Sequence, residues 1–308
     1  MKIRMQAVES PIDLCMPKYD GVIIGRSLDK RGRAAVKLSK TKATCVVTLE
    51  YQPETLRIAF EDREIEVHEL GSALEAKAWK RVLLEATTLG FAEILVCCHA
   101  LYSGGWDSVG LLYVEPRKYK KKERSEKVLD QRDFELSERI IGYRPIPGSI
   151  ASLDEVPADD ADSRNVIFLL GFEGERIDRA IEDLPIDPRQ CDVVFGVPGF
   201  RPGWEIHSFA NNIRVMCEAG FAREPRFCPA DNPRAVLDML TEIRQALPEG
   251  SQMFVAPIGT KPHGIGAALF TCECRQVGVL YDHPKKRQKR SDEIGKWHFF
   301  NAEFGERE

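Results

Sequence analysis

The stretch VAPIGTKPHGIGAALF, residues 255–270, decides the fold of the second half of the chain. An apolar run precedes the sequence GTKPHG, and a second apolar run at helical spacing follows it. This pattern predicts a buried strand, a turn and a helix, which together form the repeating unit of a parallel α/β sheet. The polar turn is then expected at the carboxyl edge of the strands, where open α/β sheets usually bind their ligands.

The same order of strand, turn and helix recurs through residues 163–290. Further apolar segments predict strands, and these are NVIFLLGF, CDVVFGVPGF and VGVLY. The segments between them predict helices, and these are GERIDRAIEDL, WEIHSFANNIRVMCEAG and PRAVLDMLTEIRQAL. Strands that alternate with helices of this length indicate parallel strands joined by right-handed crossovers. Residues 163–290 are therefore predicted to form a C-terminal Rossmann-like lobe with a mainly parallel sheet.

Residues 1–125 are predicted to form a similar N-terminal α/β lobe. The segment GVIIG predicts a strand before a short helix, and residues 72–91 predict a longer helix with Ser72 as its N-cap. Residues 93–98, EILVCC, predict a strand.

A repeat and a polar interruption define the predicted domain boundaries. VGLLYVEPRK in the first half matches VGVLYDHPKK in the second, which indicates an internal duplication. Residues 126–162 are rich in charge and poor in apolar pattern, and they predict a connection between the lobes. Residues 291–308 are predicted to be a tail. The fold class is therefore α/β, with two similar Rossmann-like lobes.

The composition excludes several classes of protein. Charged residues make up 30% of the chain and the net charge is −4, so general polyanion binding is not expected. The basic runs RKYKKKER and KKRQKR leave open a local patch that faces phosphate or nucleic acid, or simply solvated loops. The nine cysteines and six histidines lack metal-ligand spacing, and the sequence identifies no cofactor. No signal peptide or membrane span is predicted, so we expect a cytoplasmic protein without membrane contact.

The GTKPHG turn is the first candidate site. Glycine in a turn that opens a helix lets the backbone approach a ligand, and the free N–H groups and macrodipole of the helix favour an anion. The turn supplies a hydroxyl, a positive charge and an imidazole, and its candidate ligand-binding residues are Gly259, Thr260, Lys261, His263 and Gly264. The alternative interpretation is a surface turn with a capping threonine and a polar histidine at the start of the helix.

Two neighbouring turns supply further candidates. LLGFEGER, after the first strand of the second lobe, contributes Gly171, Glu173 and Arg176. The loop FGVPGFRPGWEIHS contributes Arg201, and its aromatic content suits either a stacking platform or burial against the sheet. Asn211, on the following helix, is predicted as a ligand group, with its neighbour Asn212 solvated.

The segments LLGFEGER and APIGTKP resemble the sensor domains of the CRISPR-associated Rossmann fold, or CARF, superfamily. Those domains carry a comparable glycine, threonine and lysine turn and bind cyclic oligonucleotides between two lobes. The resemblance implies ligand contacts for Gly259, Thr260 and Lys261. This chain differs in holding both lobes in one polypeptide and in lacking a nuclease signature, so the resemblance implies that effector activity lies in a partner protein.

These observations predict a protein that binds a nucleotide or another phosphorylated ligand. The resemblance implies a sensor or regulatory subunit in prokaryotic antiviral defence. One alternative is an enzyme that holds a phosphorylated substrate in the same crevice and uses His263 or Glu173 in acid-base chemistry. Another is a structural scaffold that needs no ligand.

Overall fold

The computed structural model describes residues 1–119, 134, 136–148, 164–288 and 291–305. The chain divides into two units, of which the first contains residues 1–120 and 288–308 and the second contains residues 121–287. Parallel strands and helices alternate in both units, so the chain is an α/β protein.

The first unit contains eight strands and three helices in its described residues. In chain order they are β1 (Lys2–Val8), β2 (Tyr19–Ile24), α1 (Lys30–Lys42), β3 (Ala43–Gln52), β4 (Arg57–Phe60), β5 (Arg63–Glu66), α2 (Leu70–Glu75), β6 (Val82–Glu85), α3 (Phe91–Ser103), β7 (Ser108–Tyr119) and β15 (Ser291–Glu303). The strands form one mixed sheet in the order β1-β15-β7-β6-β2-β3-β4-β5. Its centre, β7-β6-β2-β3, is parallel, and the strands outside that centre pair antiparallel.

The second unit contains two sheets and four helices in its described residues. In chain order the elements are β8 (Ser137–Ile140), β9 (Arg164–Leu169), α4 (Glu175–Asp183), β10 (Cys191–Gly196), α5 (Trp204–Ala219), β11 (Arg226–Cys228), α6 (Pro233–Ala246), β12 (Gln252–Pro257), α7 (Lys261–Glu273), β13 (Gly278–Val279) and β14 (Pro284–Lys286). Five strands form a fully parallel sheet in the order β11-β10-β9-β12-β13. Strands β8 and β14 pair antiparallel as a separate ribbon.

The parallel strands of the two units share one order. In the first sheet β7, β6, β2 and β3 are neighbours, and in the second β13, β12, β9 and β10 are neighbours. The matched segments VGLLYV and VGVLY therefore contribute strands at the same position of each parallel centre.

The structure differs from the predicted elements between residues 72 and 98. Helix α2 ends at Glu75, and residues 82–85 form β6, a fully buried central strand. The segment EILVCC lies inside α3 and not in a strand. A short apolar run that is buried on all sides has the same composition in a strand and in a helix, so periodicity does not separate the two.

The predicted tail and connection also contribute to the sheets. Residues 291–303 form β15, which lies between β1 and β7, because the run WHFF provides apolar side chains for a buried strand. Within the predicted connection, residues 137–140 form β8 of the second unit. The rest of residues 126–162, apart from the described positions 134, 136 and 141–148, lies outside the described residues. In the described part of the chain, no helix is long and apolar enough to cross a membrane.

Candidate functional site

The carboxyl edge of the five-stranded sheet brings together two of the predicted turns. A Cβ atom added at Gly171 would lie 3.1 Å from the Cα atom of Gly259, and one added at Gly259 would lie 2.6 Å from the carbonyl oxygen of Leu170. The loops after β9 and β12 therefore touch through their backbones. The two glycines are required for this close approach, which leaves no room between them for a ligand.

The GTKPHG turn is fastened to the loop that follows β11. Thr260 caps α7 by accepting a hydrogen bond from the backbone N–H of His263, and its hydroxyl donates to the carbonyl oxygen of Ala230 at 2.6 Å. Gly264 is buried in the first turn of α7, and Lys261 is half-buried at its first position. Thr260 therefore caps the helix, as the alternative interpretation of this turn expected. Its hydroxyl hydrogen is donated to Ala230 within the protein.

His263 is buried completely, so it is unsuited to acid-base chemistry on a ligand. Its Nε2 lies 3.0 Å from the carbonyl oxygen of Pro229, whereas its Nδ1 has no hydrogen-bond partner among the described residues. Burial lowers the pKa of the imidazole to about 4, so the ring is neutral at physiological pH.

The LLGFEGER turn holds two charged side chains in internal contacts. Arg176 is buried and forms an ion pair with Asp282, and its Nη1 donates to the carbonyl oxygen of Ile258 at 3.0 Å. Burial disfavours the charged guanidinium, but the Asp282 carboxylate outweighs burial and raises the pKa of Arg176. We expected Arg176 to contact a phosphate, but its guanidinium is paired with the Asp282 carboxylate instead.

Both asparagines of α5 are buried and support this turn. Asn211 donates to the carbonyl oxygen of Phe172, and Asn212 donates to the carbonyl oxygens of Gly171 and Ser208 at 2.8 and 2.7 Å. The prediction that Asn212 is solvated is wrong, since its side-chain amide is needed by the backbone of the turn. Asn211 is likewise buried, and its side-chain amide supports the turn at Phe172.

A pocket of about 260 Å³ lies at the start of α4. It is lined by Phe134, Ser137, Glu138, Arg139, Ile140, Phe172, Glu173, Gly174, Glu175, Arg176, Arg179 and Arg287. Of the ten predicted ligand residues, Glu173 and Arg176 line this pocket, and the five that belong to GTKPHG do not. Arg201 lies in the loop between β10 and α5, and neither it nor Asn211 or Gly171 contributes to the lining.

Charge and ring geometry give this pocket its chemistry. The N-cap of α4 is Gly174, which lines the pocket and provides no side-chain cap, and in the first turn the backbone N–H of Arg176 donates to the carbonyl oxygen of Glu173 at 3.1 Å. Arg139, Arg179 and Arg287 are exposed at the pocket. The rings of Phe134 and Phe172 stack with centroids 5.0 Å apart and form an apolar wall. The arrangement combines cations with an apolar surface.

Two aromatic side chains in the first turn of α5 pack against that wall. Trp204 meets Phe172 edge-on at 5.9 Å, and His207 meets the rings of Phe134 and Phe172 edge-on at 5.1 and 6.4 Å. The rings of Trp204 and His207 thus contact other rings of the protein. Trp204 and His207 therefore support the apolar wall of the pocket.

Several pocket residues were not identified from the sequence. Ser137 and Arg139 lie in the predicted connection. The sequence of the short strand β8, SERI, is too polar to be recognised as a strand. Arg287 belongs to the run KKRQKR, for which the sequence left open a phosphate-facing patch or solvated loop charges. The described residues contain no group of histidine, cysteine, aspartate or glutamate side chains that could hold a metal ion.

The first unit has a related arginine at the start of α1. Asp29 caps α1 by accepting from the backbone N–H of Gly32 at 2.8 Å, and it also accepts from Arg31 and Ser291. Arg31 donates to the carbonyl oxygen of Val114 at 2.7 Å. Burial raises the pKa of Asp29 and Arg31 lowers it, and the net shift is downward. A protein carboxylate thus occupies the position that an anionic ligand would take at this helix.

No protein-family model and no curated protein sequence matches the chain. A similar solved structure is an ABC transporter periplasmic solute binding protein from Actinobacillus succinogenes 130z with bound D-allose, at 15% identity and a TM-score of 0.22, covering 86% of this chain and 77% of that chain. Another is proclavaminate amidino hydrolase from Streptomyces clavuligerus, at 11% identity and a TM-score of 0.23, covering 92% of each chain. At these TM-scores neither likeness carries an argument about function.

Proposed function

We propose that the second unit binds a nucleotide or another phosphorylated ligand in the pocket at the start of α4. The observation that carries this proposal is the convergence of an uncapped helix start with the exposed arginines Arg139, Arg179 and Arg287 around one space. The arginines favour a ligand with an anionic group. Because glutamates also line the pocket, we expect that group to bind beside the arginines and away from the glutamates.

We propose a sensor or regulatory role, in prokaryotic antiviral defence, with an effector protein as partner. This part of the proposal rests on the resemblance of LLGFEGER and APIGTKP to CARF domains. The LLGFEGER turn supplies Glu173 and Arg176 to the pocket lining, which supports a ligand at this turn.

We also propose that the two units arose by duplication and that the second copy retained the ligand site. The shared order of parallel strands and the buried arginine at the first helix of each unit support this relationship. Asp29 caps α1 with its own carboxylate, whereas Gly174 leaves α4 without a side-chain cap. The anion that we propose therefore lies at α4, where Gly174 lines the pocket.

An enzyme that acts on the same ligand is the second candidate, and one contact favours it. Ser137 Oγ donates to the Glu173 carboxylate at 2.9 Å, which places a hydroxyl nucleophile beside a basic group. Incubation with each ligand separates the two candidates, because a sensor returns the ligand unchanged and an enzyme converts it. A structural scaffold would bind none of the ligands.

The binding experiment is calorimetric titration at low ionic strength with pyrophosphate, AMP, ATP and a cyclic oligonucleotide. We expect Arg179→Ala and Arg287→Ala each to weaken the binding of the best ligand about tenfold, since each removes a cation from the pocket. Arg214→Ala is the matched control, because Arg214 is exposed on α5 and pairs with Glu218.

Lys261→Ala tests the other predicted turn in the same titration. Unchanged affinity in this variant agrees with the pocket at α4, and a loss of affinity returns the ligand to GTKPHG. If no phosphorylated ligand binds, or if the Arg179 and Arg287 variants bind as tightly as the unaltered protein, the proposed function is wrong.

A further inference from the structure

Glu173 receives three hydrogen bonds from one short segment beside the pocket. Its Oε1 accepts from the backbone N–H groups of Leu136 and Ser137 at 3.1 and 2.7 Å, and its Oε2 accepts from the Ser137 hydroxyl at 2.9 Å. Two successive backbone N–H groups and a hydroxyl that converge on one anion are the donors that phosphate groups use in proteins. The Glu173 side chain is 16% exposed, so this arrangement is close to the surface of the pocket.

The three donors are held in place by contacts that do not involve Glu173. Strand β8 pairs with β14, with Ser137 opposite Lys286 and Ile140 opposite Pro284. The backbone N–H of Arg287 donates to the carbonyl oxygen of Leu136 at 3.1 Å. The donor segment therefore keeps its position when the glutamate side chain rotates away.

The backbone that carries Glu173 is also fixed independently. Asn211 and Asn212 bind the carbonyl oxygens of Phe172 and Gly171, and a Cβ atom at Gly174 would lie 2.0 Å from the carbonyl oxygen of Asn211. Only the side chain of Glu173 has to move to empty the three donors, because the residues on both sides of it are anchored. The Nη1 atom of Arg176 lies 3.9 Å from Oε2 of Glu173.

We propose that Leu136 N–H, Ser137 N–H and the Ser137 hydroxyl form the phosphoryl subsite of the pocket, and that Glu173 occupies this subsite until an anionic ligand displaces it. The inference rests on the proposed function, because it assigns the phosphoryl group of that ligand to these three donors. Glu173 then acts as an internal competitor. The apparent affinity for the ligand is reduced by the fraction of molecules in which Glu173 holds the donors.

Glu173→Gln tests the competition with inorganic pyrophosphate as the probe. The substitution removes the negative charge and places an amide where a carboxylate accepted three hydrogen bonds, so we expect pyrophosphate to bind about tenfold more tightly than to the unaltered chain. Ser137→Ala in the Glu173→Gln background should lose most of this gain, because it removes one donor of the subsite. Glu173→Asp, which is one methylene shorter, is the second variant, and it should also raise the affinity.

The result separates this inference from the proposed function. If the unaltered chain binds pyrophosphate through Arg179 and Arg287 but neither Glu173 variant that folds binds it more tightly, the inference is wrong and the proposed function stands. If Ser137→Ala leaves the gain of Glu173→Gln intact, the subsite is wrong. If pyrophosphate, AMP, ATP and the cyclic oligonucleotide fail to bind to every one of these proteins, the proposed function and the inference both fail.

Discussion

His263 joins the start of α7 to the loop after β11 through its contact with the carbonyl oxygen of Pro229. The ring has no exposed surface, and burial lowers its pKa to about 4 from an ordinary value of 6.5. Between these two pH values the unfolded chain binds a proton at this position and the folded chain does not. The histidine therefore makes the free energy of unfolding depend on pH.

We expect the free energy of unfolding to fall as the pH decreases from 6.5 to 4, by roughly 3 kcal/mol from His263 alone. His263→Gln keeps a donor for Pro229 but has no group that titrates, so its stability should lack this part of the pH dependence. Urea unfolding at pH 7, 6, 5 and 4 measures the effect. The exposed His68→Gln variant is the matched control.

An equal pH dependence in the unaltered protein and in His263→Gln would contradict the buried, neutral imidazole. Such a result would also reopen a role for His263 at the ligand.

Local sequence located the charged turns but did not reveal what their side chains bind. Arg176 follows a glycine-rich turn at the start of a helix, which is the position of a phosphate ligand in many α/β proteins. Its partner Asp282 lies 106 residues further along the chain, beyond four strands and three α-helices, and no local pattern links the two. For the same reason, Asn212 looked solvated until the loop that it supports was known.

Helices α6 and α7 pack closely because α7 has no side chain at Gly266. A Cβ atom at this position would lie 2.5 Å from the carbonyl oxygen of Pro233 and 2.8 Å from the Cβ atom of Val236. The first of these contacts is with backbone, which cannot rotate away. The helix pair thus depends on a glycine in a position where helix propensity alone would favour alanine.

We expect Gly266→Ala to lower the free energy of unfolding by about 1–3 kcal/mol, because the steric conflict outweighs the gain in helix propensity. Gly71→Ala is the matched control. Gly71 lies in α2 with nothing within 4 Å of its added Cβ atom, so this substitution should raise stability by about 0.5 kcal/mol. Thermal and urea unfolding of the two variants should shift in opposite directions, and a shift in the same direction would contradict the packing described here.

Single helices and strands could be predicted where turns bound them in the sequence, and could not where distant strands determine them. The elements from NVIFLLGF to GIGAALF were recognised because each apolar run has helical or strand length and a clear turn at its end. VLLE was assigned to a helix because it is short and continues a stretch of good helix formers. Its burial between β7 and β2 depends on neighbours that are distant in sequence.

The first unit is discontinuous, since β15 returns to it after the whole of the second unit. This strand pairs with β1 on one side and β7 on the other, and it carries Ser291 to Asp29 and His298 to Glu115. The strand and helix segments of residues 1–125 had predicted a separate N-terminal lobe. The sequence did not predict that β15 belongs to the first unit, because its partner strands β1 and β7 are distant from it in sequence.

We expect a chain that stops after Gln288 to lose the cooperative unfolding of the first unit, because β1 and β7 both lose their partner strand. The emission of Trp79 and Trp106 reports this loss, since both side chains are 8% exposed in the folded unit and should shift towards longer wavelength. Lys296→Ala, on an exposed position of β15, is the control and should change stability by about 0.5 kcal/mol or less. Because the truncation also removes Trp297, the reference is the full-length Trp297→Phe variant, and a truncated chain with the same emission as that reference would show that β15 is dispensable.

The late position of β15 also sets the order in which the chain can fold during its synthesis. The ribosome makes β7 first, then all of the second unit, and only then the strand that covers the open side of β7. Until that moment the nascent chain presents the backbone of the apolar run VGLLYV as an uncovered edge, to which another nascent chain can pair. Translation of β15 is thus the step that completes the sheet of the first unit and ends the exposure of β7 to aggregation.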